Sequence, residues 1–215
     1  MMTNNKKRNL IKYFQTLKSF GYSYNDDVNF HIENNDDNQN LILPTNIKEL
    51  ETIVNNCNLC ELSKNNKNRF FSVGHIYSKV MIIGDYPIVD LFNPYSGQAG
   101  KMLSNMCTNV LKLDINSIYY TTILKCTVSI NNTIDEEYIE QCKDYLLKQI
   151  EIVKPLIILV YDTKAYEYLK QKANLKTKYI ILTKSPTYLL RNPSYKKEAM
   201  HDLVKVRAIL DKQGN

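Results

Sequence analysis

The chain has 215 residues, 44% of them hydrophobic, and a net charge of +6, enough for one buried core, since single domains commonly run about 100–200 residues. No stretch reaches the roughly 18 apolar residues that span a bilayer and the N-terminus lacks a secretory pattern, so a soluble, cytoplasmic monomer with no membrane span is expected. The basic balance favours an acidic partner such as nucleic acid, although a plain basic surface gives the same charge.

Leu10, Tyr13, Phe14, Leu17 and Phe20 recur at helical spacing and Gly21 is placed to end the run, which predicts an amphipathic helix within 1–24. Positions 25–40 are crowded with Asn and Asp and read as a linker, so the compact domain is expected over 41–212. Thr45 is the expected N-cap of a helix around 47–54. Val80-Met81-Ile82-Ile83-Gly84 is a continuous apolar run ending in glycine, the pattern of a buried central strand. Helices are expected over 100–111, 135–153, from Thr163 onward and over 196–212, with strands over 118–124, 156–160 and 179–183. Alternating strands and helices predict an α/β fold, three layers around a mainly parallel four-stranded sheet. Ligand sites in such folds gather at the carboxyl ends of the strands, here the loops after Ile83, Leu124 and Leu182.

Five cysteines in a chain of this kind are poor candidates for disulfides, because the cytosol keeps thiols reduced. Cys57 and Cys60 form a C-x2-C pair, and Cys126 and Cys142 stand with fifteen residues between them. A tight turn aims two thiolates at one point, which suits zinc, a redox pair or an iron-sulfur cluster, and the spacing alone leaves these open. Cys107 is left over and reads as a buried apolar residue. Gly97 and Gly100 open a helix whose amides suit a phosphate, or mark a tight loop-to-helix junction.

The ordered motifs over 43–210 resemble the iron-sulfur uracil-DNA glycosylases, often called family 4. In that family a C-x2-C-x-L segment is followed by G-E-A-P-G, P-F-V-G-x-A-G, N-x-V-K-C, a distal Cys and H-P-x-x-L-L-R. The counterparts here are Cys57-Asn58-Leu59-Cys60-Glu61-Leu62, Gly84-Asp85-Tyr86-Pro87-Ile88 and Pro94-Tyr95-Ser96-Gly97-Gln98-Ala99-Gly100. They continue with Thr122-Ile123-Leu124-Lys125-Cys126, Cys142 and Ser185-Pro186-Thr187-Tyr188-Leu189-Leu190-Arg191.

The resemblance implies the uracil-DNA glycosylase fold, DNA as partner, and a [4Fe-4S] cluster on Cys57, Cys60, Cys126 and Cys142. It implies Asp85, with Asp90 nearby, for placing water, and Ser185 where the family His meets the departing base. Tyr95 would stack on a flipped base, Thr122 would stand where the family Asn reads its edge, and Tyr86 would fill the small Ala position beside it. Leu189, Leu190 and Arg191 match the family's DNA-intercalation loop.

The departures all fall at the chemistry. Asp85 is a methylene shorter than Glu, Ile88 replaces a glycine, Thr122 replaces a paired amide, and Ser185 replaces imidazole. Losing a donor to a developing anion typically costs about 2.7–4 kcal/mol. Two readings therefore stay open: a DNA glycosylase acting on uracil or another deaminated base with altered motifs, or a [4Fe-4S] DNA-binding relative that no longer cleaves. A tethering protein that uses the N-terminal helix and linker is a third.

Overall fold

Val80 to Ile83 carries no polar side chain to turn toward water, and in the computed structural model it lies in the middle of the sheet. The structure describes residues 43–84, 86–87, 94–128, 136–171, 175 and 177–213. The expected N-terminal helix, the linker, Asp85 and Asp90 lie outside the described residues. Four strands, β1 (Val80–Gly84), β2 (Tyr119–Thr122), β3 (Ile157–Val160) and β4 (Tyr179–Leu182), form one all-parallel sheet in the order β2-β1-β3-β4. β1 and β3 are buried throughout, as strands covered on both faces must be, while β4 is a half-buried edge. The other edge is closed by an antiparallel bridge from Val73 to Tyr120.

The helices are α1 (Ile47–Asn55), α2 (Glu61–Asn65), α3 (Gly97–Asn105), α4 (Glu136–Val153), α5 (Thr163–Gln171), α6 (Pro186–Arg191) and α7 (Lys196–Lys212). Alternate strand residues split the core between two faces. Val80, Ile82, Ile157 and Leu159 pack with Leu103 of α3, Leu189 of α6 and Leu203 of α7. Met81, Ile83, Ile158 and Val160 pack with Leu146 and Ile150 of α4 and Leu169 of α5. The result is the expected three-layer α/β/α arrangement. Leu50 and Val54 of α1 form a satellite core with Phe71 and Tyr145.

Three local expectations are corrected. The N-cap of α1 is Asn46, whose side chain accepts the Lys48 N–H at 2.9 Å, and not Thr45. The helix expected over 100–111 begins at Gly97 and changes at Met106 into a π-helical turn, Met106–Leu111, which Lys112 ends in the left-handed region at φ 57°. β2 stops at Thr122 although Ile123 and Leu124 are apolar, because both turn into the core beyond the end of the ladder.

Candidate functional site

Cys57 follows α1, Cys60 caps α2, Cys126 follows β2 and Cys142 lies on α4, and all four line one small cavity with Val54 and Tyr145. The local sequence explains why the first pair is held there. Cys60 Sγ accepts the Ser63 N–H at 3.4 Å while Ser63 Oγ accepts the Cys60 N–H at 3.0 Å, a reciprocal cap at the start of a helix. The Tyr145 hydroxyl donates to Cys57 Sγ at 3.5 Å, and the Lys125 N–H donates to Cys142 Sγ at 3.3 Å. Arg69, bridged to Cys126 through the backbone, donates from Nη2 to Cys57 O at 3.1 Å and Ser63 O at 2.6 Å, and from Nη1 to Asn66 O.

Burial pushes the Cys126 thiol up to about 11, against the pull of Arg69, and the Cys142 thiol up to about 12, against the pull of Lys125. Such thiols ionise when a metal centre supplies positive charge. Among the described residues no group of three or more His, Cys, Asp or Glu is placed to hold a single metal ion. The sulfurs face a shared cavity without converging on one ion. The remaining thiol, Cys107, is 1% exposed in the core, as an apolar residue would be.

Behind the cavity lies a polar network that sequence reasoning missed. Lys125 is 1% exposed, and its Nζ donates to Thr121 Oγ1 at 2.7 Å, Thr122 O at 2.5 Å and Gln149 Oε1 at 2.5 Å. Gln149 Nε2 donates to Phe71 O at 3.1 Å and the Tyr119 hydroxyl at 2.9 Å, and Thr121 Oγ1 donates to Phe71 O at 2.8 Å. Desolvation pushes the Lys125 ammonium down to about 7, with nearby Cys142 acting in the opposite direction.

At the carboxyl ends of the strands, Gly84 pairs with Thr122. A Cβ on Gly84 would fall 1.8 Å from the Tyr120 hydroxyl, so glycine there makes room for the Tyr120 ring. That ring stands edge to face with Tyr95 at 6.4 Å and Phe70 at 6.0 Å. Gly100 holds Tyr95 close: a Cβ would fall 2.0 Å from the Tyr95 carbonyl carbon. The Gly100 N–H donates to Ser96 O at 2.9 Å, so this amide is not available to a phosphate and that expectation is corrected. Gly97, at φ 63°, sits in the first turn, whose amides precede the intrahelical bonds.

Thr122 is 2% exposed and its hydroxyl donates to Leu124 O at 2.5 Å. Ser185, 5% exposed, is the N-cap of α6, and its Oγ accepts the Tyr188 N–H at 3.2 Å. α6 packs against α3, which brings the Tyr95 turn toward the Ser185 segment. Leu189 points into the core, while Leu190 and Arg191 face outward, so the apolar wedge expected of both leucines narrows to Leu190. Successive helix residues are rotated by about 100°, so Leu189 faces the core while the next two residues face outward. Half-buried Tyr86 has its hydroxyl 3.5 Å from Asp162 Oδ2. Asp162, a carboxylate at the end of β3 that the sequence reading passed over, accepts the Ala165 N–H at 2.6 Å and caps α5. Its signal was the acid just before Thr163, where the helix was expected to open.

Residues 71–204 match the family model described as the Uracil DNA glycosylase superfamily. The type-4 uracil-DNA glycosylase of Saccharolobus solfataricus is 30% identical over 179 residues, covering 73% of this chain and 83% of that protein. Those of Archaeoglobus fulgidus and Thermotoga maritima are 28% and 27% identical, covering 66% and 75% of this chain and 74% and 93% of those proteins.

Proposed function

Since the chain belongs to the uracil DNA glycosylase superfamily, we propose that it excises uracil or another deaminated base from DNA by hydrolysing the N-glycosidic bond. The observation that carries this reading is the meeting of strand-end segments: Gly84 beside Thr122, Tyr95 against Tyr120, and α3 packed on the helix that Ser185 caps. The reaction develops positive charge on the sugar and negative charge on the departing base, after the nucleotide leaves the stack.

Each residue present suits one part of that task. Tyr95 offers a face for stacking, with Tyr86 at the edge of the same loop. Ser185 Oγ already accepts an N–H, so its own proton is the one left for a base oxygen as it becomes an anion. Thr122, with its proton on Leu124 O, offers only lone pairs, which suit a base N–H. Asp85, with Asp90 near it in sequence, orients water. Gly97 and the first-turn amides of α3 meet phosphate, as does Arg191 on the outer side of α6, where Leu190 serves as the apolar wedge.

Cys57, Cys60, Cys126 and Cys142 suit a [4Fe-4S] cluster, since four thiols share one cavity and three of the sulfurs accept a hydrogen bond. Bound there, a cluster supplies a cross-link between three segments of the chain. Arg69 and Lys125 keep those segments in place by hydrogen bonding to Cys57 O and to Thr122 O. Among the described residues no helix is long and apolar enough to cross a membrane.

One observation favours a second reading, a cluster-bearing relative that binds DNA without cleaving it: the Thr122 and Ser185 hydroxyls are both engaged with backbone. Anaerobically purified protein, its iron measured, is incubated with single- and double-stranded oligonucleotides carrying one uracil, hypoxanthine or xanthine, and abasic sites are cleaved with alkali. Strand cleavage is the expected result. Intact strands beside measurable DNA binding would establish the second reading, and cleavage recovered in Ser185→His would trace the loss to that side chain.

A further inference from the structure

α6 and the turn after it carry a surface cluster that the proposed reaction does not use. Tyr188 on α6 and Tyr195, at the end of the 3-10 turn Pro193–Tyr195, stand edge to face with ring centroids 5.4 Å apart. The two residues remain 39% and 40% exposed. The Lys184 ammonium lies 5.7 Å from the centroid of each ring. Exposed Arg191, Lys196 and Lys197 follow in the same stretch, against the single carboxylate of Glu198. Two partly exposed aromatic rings beside the Lys184 ammonium offer π faces to a base and positive charge to a phosphate.

The place of the cluster matters as much as its composition. Lys184 immediately precedes Ser185, and Tyr188 is the residue whose N–H Ser185 caps. The platform therefore begins one helical turn from the proposed base pocket, on the same helix. We infer that Tyr188, Tyr195 and Lys184 stack a nucleobase of single-stranded DNA adjacent to the nucleotide held at Ser185, with Lys184 leaving the rings to meet the phosphate between them. This rests on the reading of Ser185 as part of the base pocket. A single strand is the occupant the chemistry selects, because its bases present free faces, whereas those of a duplex are stacked on their own neighbours.

The test is the affinity of the full-length, cluster-loaded protein for a fluorescent single strand that contains no uracil, measured by anisotropy over a series of salt concentrations. Tyr188→Ala and Tyr195→Ala each weaken binding about tenfold, as the loss of one stacked base does. Tyr188→Phe and Tyr195→Phe bind like the wild type, and Lys184→Gln lowers the salt slope by about 0.7. Tyr188→Leu, which keeps apolar bulk and removes the ring, weakens binding as the alanine does, so a misfolded alanine variant leaves the outcome readable. Tyr77→Ala is the control, an 81% exposed ring that precedes β1 at the opposite end of the sheet. Alanine and leucine variants that bind as tightly as wild type, a loss no larger than that of Tyr77→Ala, or phenylalanine variants as weak as alanine would each overturn the inference. Because the strand offers no base to release, a protein that proves unable to excise uracil leaves this readout intact, and the two failures are seen separately.

Discussion

The cysteine cavity and the strand-end pocket are built from similar polar parts used in opposite ways. Around the cavity, side chains reach across long stretches of sequence: Arg69 to Cys57 O, Tyr145 to Cys57 Sγ, Gln149 to Phe71 O. At the strand ends, Thr122, Ser185 and Asp162 each hydrogen-bond backbone only two or three residues away. The first pattern ties the tertiary structure together, while the second shapes local turns and leaves each group a fixed remaining capacity. The two regions should therefore respond differently to substitution, the cavity through global stability and the pocket through chemistry.

The sharpest contrast is expected at the cysteines. If the four cysteines hold the proposed cluster, Cys126→Ala or Cys142→Ala should release iron and lower stability by more than about 4 kcal/mol, read as metal content and thermal unfolding, through loss of a buried cross-link. Full retention of iron would separate this cavity from any cluster. Lys125→Met should cost about 1–3 kcal/mol in denaturant unfolding, since it leaves Thr122 O and Gln149 Oε1 with a lost donor in a dry interior.

Gly100→Ala, at the other region, should cost about 1–3 kcal/mol through the clash of a Cβ with the Tyr95 backbone. It should also shift Tyr95, so base release should fall more than stability alone explains, which a comparison of turnover well below the unfolding temperature checks. Smallest is Ser185→Ala, which removes one helix cap and should cost about 1 kcal/mol of stability. If the serine is also the donor to the leaving base, its rate loss should exceed that of any other capping residue, for instance Asn46→Ala at α1.

Much of this division was legible from residue order alone. The unbroken apolar run at β1, the alternation of strands with helices, and the C-x2-C pair each rest on covalent spacing and burial, which sequence carries directly, whereas the grouping of Cys126 and Cys142 with that pair comes from the family resemblance. The direction of the Thr122 hydroxyl, the inward turn of Leu189 and the use of the Gly100 amide within its own helix depend on how the backbone bends at one residue. Periodicity does not encode that. The Lys125–Gln149 contact joins residues 24 apart through buried polar groups, where no hydrophobic pattern marks a pair. Asp162 was readable as a helix cap, since an acid directly before Thr163 suits the start of α5.

Cys142 and Gln149 stand seven residues apart on α4, two turns along nearly the same face and about 10 Å along the axis. One end of that interval looks into the cysteine cavity and the other holds the lysine that binds Thr122 O. The helix thus acts as a gauge rod between the two regions. A slide of a single residue step, about 1.5 Å, would move both ends at once and unseat Gln149 from Lys125 as it drew Cys142 from its neighbours.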